Sequence, residues 1–180
     1  AVVTEVSTGK ILALVSHPDF DPNEIAEIWD SIVEDETSTV LLNRVTQGLY
    51  PPGSTFKILT ALEYMREHPD DYNRYSFYCG HFEAGGSRIG CFNGVKHGQV
   101  DFERSFANSC NCSFANMGIG LDWEMFEENL EELFFNEALP LGLPHSKSST
   151  VLDGDIEVPD MMQTAFGQGK TQMTPMHLNM

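Results

Sequence analysis

The chain opens on two short apolar runs rich in β-branched residues. Val2-Val3-Thr4-Glu5-Val6 and Ile11-Leu12-Ala13-Leu14-Val15 are separated by the turn formers Ser7-Thr8-Gly9-Lys10. This pattern predicts a β-hairpin. A turn-rich stretch follows, His17-Pro18-Asp19-Phe20-Asp21-Pro22-Asn23, and then a short helix over Glu24 to Val33. Tyr50-Pro51-Pro52-Gly53 halts whatever precedes it and leaves Ser54 placed to cap a helix over Thr55 to Arg66. That segment is apolar nearly all round, at Phe56, Ile58, Leu59, Ala61, Leu62 and Met65, which predicts a central buried helix.

Glycines at 80, 85, 86, 90, 94 and 98 make residues 75–98 irregular or weakly extended. Two short helices are predicted over Asp101 to Ala107 and Asn111 to Met117, broken at Asn108-Ser109. An acidic amphipathic helix is predicted from Trp123 to Phe135, a loop from Pro140 to Val158, and a short helix from Asp160 to Ala165. Gly167-Gln168-Gly169 reads as a turn, and Thr174-Pro175 opens a last helix. A hairpin followed mostly by helices implies an α+β domain. A two-stranded sheet is marginal alone, so further strands are expected beyond those read here.

Composition narrows the classes. Apolar residues make up 41%, enough for a packed core. No run approaches the ~18 apolar residues that span a bilayer. The formal net charge is −17, which argues against a nucleic-acid partner, since phosphate binding needs clustered Lys and Arg. The acidic runs Glu34-Asp35-Glu36 and Glu124 to Glu132 read as solvated surface. Neither Cys110/Cys112 nor Cys79/Cys91 forms a C-x-x-C, so the spacing gives little support for a metal site. Cys79 and Cys91 read equally as a disulfide or as two thiols, and a bond between Cys110 and Cys112 is disfavoured.

The candidate chemistry is Ser54-Thr55-Phe56-Lys57. Residues three apart at a helix start share a face, so Ser54 and Lys57 point into one space. A buried lysine loses its charge readily, and its neutral amine can take the serine proton. The helix N-terminus offers free N–H groups to a developing oxyanion. Ser-x-x-Lys alone is weak, with about one chance match expected in a chain this long. Ser7-Thr8-Gly9-Lys10 also fits, but it lies in the predicted hairpin turn with no helix to orient it. A second element, Ser109-Cys110-Asn111, falls at a break between helices. By itself it reads as a cap. Beside Ser54 and Lys57, Ser109 becomes a candidate proton relay and Asn111 a candidate binder of a substrate amide.

Together these residues give a resemblance to penicillin-binding transpeptidase domains, within the β-lactamase/transpeptidase-like superfamily. Tyr50-Pro51-Pro52-Gly53-Ser54-Thr55-Phe56-Lys57 resembles the family's first active-site motif and Ser109-Cys110-Asn111 its second. Phe166-Gly167-Gln168-Gly169 with Met173-Thr174-Pro175 resembles the turn and helix that precede the third. Thr8 to Ser16 with Phe20-Asp21-Pro22-Asn23 resembles the first hairpin and its loop. The resemblance implies an acyl-serine D,D-transpeptidase of peptidoglycan cross-linking, with Ser54 as nucleophile and Lys57 as base. The implied ligands are peptidoglycan stem peptides and β-lactam antibiotics, and other cell-wall synthesis proteins are implied partners. No cofactor is implied. The implied location is the extracytoplasmic face of a bacterial membrane, with the anchor outside this chain.

No Lys-Thr-Gly occurs in the sequence, and Lys170-Thr171-Gln172 lies too early to be the third motif. The expectation is therefore a partial transpeptidase domain over residues 1–180 with an incomplete sheet, poorly active by itself. A serine β-lactamase or β-lactam sensor, and a catalytically inactive binding or scaffold module, are the competing readings. The histidines at 17, 81, 97, 145 and 177 show no metal-ligand spacing. His68 reads as a helix C-cap, Trp29 and Trp123 as core residues, and Asn43 and Arg44 as braces for the nucleophile loop.

Overall fold

The structure, a computed structural model, describes residues 1–151 and 156–180. The chain divides into two compact units: residues 1–50, 138–148 and 173–180 form the first, and residues 51–137 and 149–172 the second.

In the first unit, β1 (Val2–Thr4) pairs antiparallel with β2 (Ile11–Leu14), in register Val2↔Leu14. Glu5, Thr8 and Gly9 close the turn through backbone bonds, and Gly9 has φ +70°, the left-handed region that glycine adopts without strain. Helix α1 (Ile25–Glu34) forms as expected. Trp29 is 48% exposed on it, so the expectation of a core residue fails there. The small core gathers Val45, Leu139 and Met176, with Val2, Leu14 and Leu141 against it. Asn43 accepts from the N–H groups of Val45 and Thr46, and the Arg44 guanidinium donates to Thr39; these bonds lie within the first unit.

The second unit contains most of the helices. A 3-10 turn (Gly53–Phe56) runs directly into α2 (Lys57–Glu67), with His68 as its C-cap as expected. Ser54 is thus inside the first helical turn and makes no capping bond, which corrects the expected cap. The helix is not buried all round either. Ile58 and Leu62 are exposed, whereas Lys57, Thr60, Ala61 and Glu63 are buried. The face chosen for burial is the one carrying the lysine.

Residues 75–98 are more ordered than their glycines suggest. Here β3 (Ser76–Cys79) pairs antiparallel with β6 (Gly98–Asp101), and β4 (Phe82–Ala84) with β5 (Ser87–Ile89). Helices α3 (Phe102–Ala107) and α4 (Asn111–Gly118) flank the predicted break, where Ser109 takes φ +50°. Asp101 caps α3, and Asp122 caps α5 (Trp123–Glu132), each through its side chain. Trp123 is buried and donates to Gly118 O at 2.8 Å. Helix α6 (Val158–Thr164) begins at the end of the predicted 140–158 loop, of which residues 152–155 lie outside the described residues. In the first unit, α7 (Pro175–Asn179) is capped by Thr174. Among the described residues every sheet is two-stranded, and helices dominate, in keeping with an α+β fold.

The core of the second unit gathers Cys79, Cys91, Cys110, Cys112, Phe114, Met117, Met162 and Phe166. Its centre is α4, which is buried on nearly every side. Phe56 adds edge-to-face contacts with Phe126 and Phe135.

Candidate active site

Ser54, Lys57, Ser109 and Asn111 converge. The one-turn spacing in α2 and the preceding 3-10 turn sets Lys57 beside Ser54, with Nζ 3.3 Å from Oγ. The left-handed kink at Ser109 turns its hydroxyl back toward them. Ser109 Oγ donates to Ser54 Oγ at 2.8 Å and lies 2.9 Å from Lys57 Nζ. Lys57 Nζ also donates to Ser109 O at 2.7 Å and to Asn111 Oδ1 at 2.6 Å. Ser109 is a non-glycine residue at positive φ, a conformation that the surroundings must hold in place. Three bonds from one lysine to the segment do so.

Lys57 is 1% exposed. Burial pulls its amine down to about 8, against which the nearby thiols Cys91, Cys110 and Cys112 act to raise it. The rings of Phe114 and Phe166 lie 5.4 Å and 6.0 Å from Nζ. A neutral amine has two N–H groups and one lone pair. Ser109 O and Asn111 Oδ1 can only accept, so they take the two N–H groups. The lone pair is then left for a hydroxyl proton from Ser109 or Ser54. The arrangement can therefore activate Ser54 as a nucleophile.

A cleft of about 790 Å³ opens over these groups and is lined by Ser54, Ser109, Asn111, Phe166 and Gln168, among others. Its floor is braced from behind. Gly53 N–H donates to Gly167 O at 2.8 Å, so the Gly167-Gln168-Gly169 turn latches the start of the Ser54 helix. Gly167 has φ +72°, and a Cβ there would collide with Gly53 O. Thr60 Oγ1 donates to Ala165 O at 2.8 Å, tying α2 to the end of α6. Beneath α4, Ser113 Oγ donates to Ser105 Oγ and Tyr75 OH donates to Asn116 Oδ1. Burial raises the Tyr75 phenol well above its usual range, so it stays protonated.

A family model described as the penicillin-binding protein transpeptidase domain matches residues 1–179. The chain belongs to this family. It is 30% identical over 177 residues to stage V sporulation protein D of Bacillus subtilis, covering 97% of this chain and 26% of that protein. It is 27% identical over 187 residues to the peptidoglycan D,D-transpeptidase PbpA of Mycolicibacterium smegmatis, covering 97% of this chain and 38% of that protein. Among solved structures, the imipenem acyl-enzyme complex of penicillin-binding protein A from M. tuberculosis superposes with a TM-score of 0.85 at 27% identity. It covers 98% of this chain and 43% of that one. The chain thus spans less than half the length of each of these relatives.

The second Ser-x-x-Lys of this transpeptidase domain, at Ser7 and Lys10, is exposed in the hairpin turn of the first unit. Lys170, of the tempting Lys170-Thr171-Gln172, instead pairs with Asp160 at 2.8 Å, and Thr171 is buried with its hydroxyl on Thr164. Of the two readings left open for Cys79 and Cys91, the structure has the thiols, and Cys110 and Cys112 are unbonded as expected. All four are buried free thiols, with Cys79 and Cys91 Sγ 3.6 Å apart. Cys91 Sγ also lies 3.7 Å from Cys110 and 3.8 Å from Cys112. Cys91 and His97 line the same cleft as Ser54. Sequence spacing carried no sign of this, because strand pairing and not helical periodicity brings them together. The Tyr75 network and the Gly53–Gly167 latch were likewise missed.

Proposed function

We propose that this chain forms part of a serine D,D-transpeptidase of peptidoglycan cross-linking that β-lactams acylate at Ser54. The observation that carries this reading is the continuous hydroxyl–hydroxyl–amine path from Ser54 through Ser109 to Lys57. The relatives support it: PbpA is named as a peptidoglycan D,D-transpeptidase, and the M. tuberculosis neighbour is an imipenem acyl-enzyme.

In this mechanism the substrate is a stem peptide ending in D-alanyl-D-alanine. Ser54 Oγ attacks the carbonyl between the two D-alanines. Its proton moves to Ser109 while the Ser109 proton moves to neutral Lys57. The tetrahedral oxyanion is met by the Ser54 N–H, which in the first helical turn has no intrahelical acceptor. Lys57, now an ammonium, returns a proton through Ser109 to the departing D-alanine nitrogen. The acyl-enzyme remains. An amine of a neighbouring stem then attacks it, loses its proton along the same path, and restores Ser54. Asn111 takes a substrate amide at the cleft rim. Its Oδ1 is held by Lys57, so its Nδ2 is the group that meets a carbonyl oxygen; it donates one hydrogen to Gly90 O at 3.4 Å and has a second for the substrate.

The location proposed is the extracytoplasmic membrane face; no helix among the described residues is long and apolar enough to cross a membrane. Other cell-wall synthesis proteins are the proposed partners. The test is labelling of the complete protein with a fluorescent penicillin. A stable adduct is expected. Fast release of hydrolysed drug would point instead to a β-lactamase, and the lack of any adduct to a scaffold.

A further inference from the structure

We propose, resting on the acyl-serine mechanism above, that the buried hydroxyl pair Ser105–Ser113 is a positioning device for the proton relay. It clamps the helices on either side of Ser109 and so sets where the Ser109 hydroxyl stands. Ser105 lies on α3 and Ser113 on α4, with Ser109 midway between them in sequence at the kink. Both serines are fully buried. Ser113 Oγ donates to Ser105 Oγ at 2.6 Å, and Ser105 Oγ donates in turn to Asp101 O at 2.6 Å, where β6 ends and α3 begins. Tyr75 Oη stands 3.0 Å from Ser113 Oγ and donates to Asn116 Oδ1 at 3.0 Å. Each of the three hydroxyl protons thus has an acceptor.

Two alanines would occupy this point of the core with no polar group to satisfy. A hydroxyl buried without a partner is costly, and a pair that satisfies itself adds little net stability. What the pair adds is direction, because a fully satisfied buried polar network holds its members in one arrangement. A second contact across the kink, between the rings of Phe106 and Phe114 at 6.2 Å, is apolar, and rings pack acceptably over a range of offsets. Ser105 also grips the kink through its carbonyl, which accepts from Cys110 N–H at 2.9 Å.

The kink needs such a base. Ser109 sits at φ +50°, a costly conformation for a residue other than glycine. Lys57 holds it from the cleft, at Ser109 O and Oγ. That hold changes within each turnover, because the amine takes up a proton and gives it back, and its donors and lone pair change with it. The serine pair takes no part in the proton path and keeps its bonds throughout. Ser109 Oγ has to stay in reach of both Ser54 Oγ, at 2.8 Å, and Lys57 Nζ, at 2.9 Å. A displacement of about 1 Å in a reacting arrangement can cost roughly a hundredfold in rate.

Acylation rates of the complete protein with a fluorescent penicillin, measured in a double-mutant cycle against Ser109→Ala, test this. Ser113→Ala and Ser105→Ala should each acylate roughly tenfold more slowly than the parent, a loss smaller than that of a full 1 Å displacement. The Ser105→Ala/Ser113→Ala double variant should be about as slow as either single one, since all three lack the bond between the helices. In the Ser109→Ala background neither change should cost more than about twofold, because the hydroxyl that the pair positions is gone. Both substitutions are nearly isosteric, and each removes the same bond, so one suffices should the other fail to fold. Parental rates in the single variants overturn the proposal. So does an equal fold loss with and without the Ser109 hydroxyl, the mark of a merely structural role. A parent that takes no label overturns the acyl-serine mechanism and this proposal with it. A parent that labels, beside serine variants that label at its rate, overturns this proposal alone.

Discussion

Lys57 Nζ stands 3.3 Å from Ser54 Oγ, the longest of the polar contacts that its amine makes. Ser109 Oγ fits between them at 2.8 Å and 2.9 Å. The shorter route for a proton from Ser54 to Lys57 therefore runs through a second hydroxyl, and the direct contact is the longer one.

Ser54→Ala should abolish covalent labelling by penicillin while leaving the melting temperature near that of the parent. Its hydroxyl contributes only the two bonds from Ser109 Oγ and Lys57 Nζ at the cleft surface, and in the proposed mechanism it is the whole of the nucleophile. Intact mass with peptide mapping reads the outcome; an adduct persisting on Ser7 or Ser109 would refute the assignment.

Ser109→Ala should slow acylation by roughly a hundredfold, the lower part of the range for a positioned proton-transfer group. Residual activity is expected because the direct Lys57 path survives. If stopped-flow acylation of Ser109→Ala ran at the parental rate, the relay would play no part.

Acylation should rise with pH and level off above about 8. Burial sets the Lys57 amine at about 8, with Cys91, Cys110 and Cys112 acting to raise it. Below that pH the lysine is charged and has no lone pair; above it the neutral base predominates. The rate should fall about tenfold per pH unit on the acid side, and Lys57→Ala should remove this limb along with most of the activity. A flat profile of kcat/KM from pH 6 to 9 would place the base elsewhere.

Gly167→Ala should destabilise the protein by about 1–3 kcal/mol, the cost typical of a strained left-handed residue. It should also cut acylation, because the added methyl would displace Gly53 and with it the Ser54 turn. Thermal melting and acylation rates, read together, check it. Alanine tolerated in both would show that the latch is incidental.

Much of the site was legible from the chain. Ser54 and Lys57 are one helical turn apart, and local geometry alone sets them side by side. The break at Asn108-Ser109 was visible as polar residues between two short apolar segments, and α1, α3, α4 and α5 fell close to their predicted bounds. The surface of α2 was misread because periodicity was ambiguous there: an all-round apolar helix does not say which side faces inward, and the structure exposes Ile58 and Leu62 while burying Lys57.

Local sequence determined the Ser54–Lys57 pair and the hairpin, since each depends on residues within one turn or one tight loop. Only the tertiary structure decided which distant groups meet them. Ser109 reaches Ser54 across 55 residues, and Gly167 latches Gly53. Cys79, Cys91, His97 and Cys110 gather because β3 pairs with β6 and α4 packs beneath. Such contacts depend on which chain segments share a core, and no short spacing rule encodes that choice.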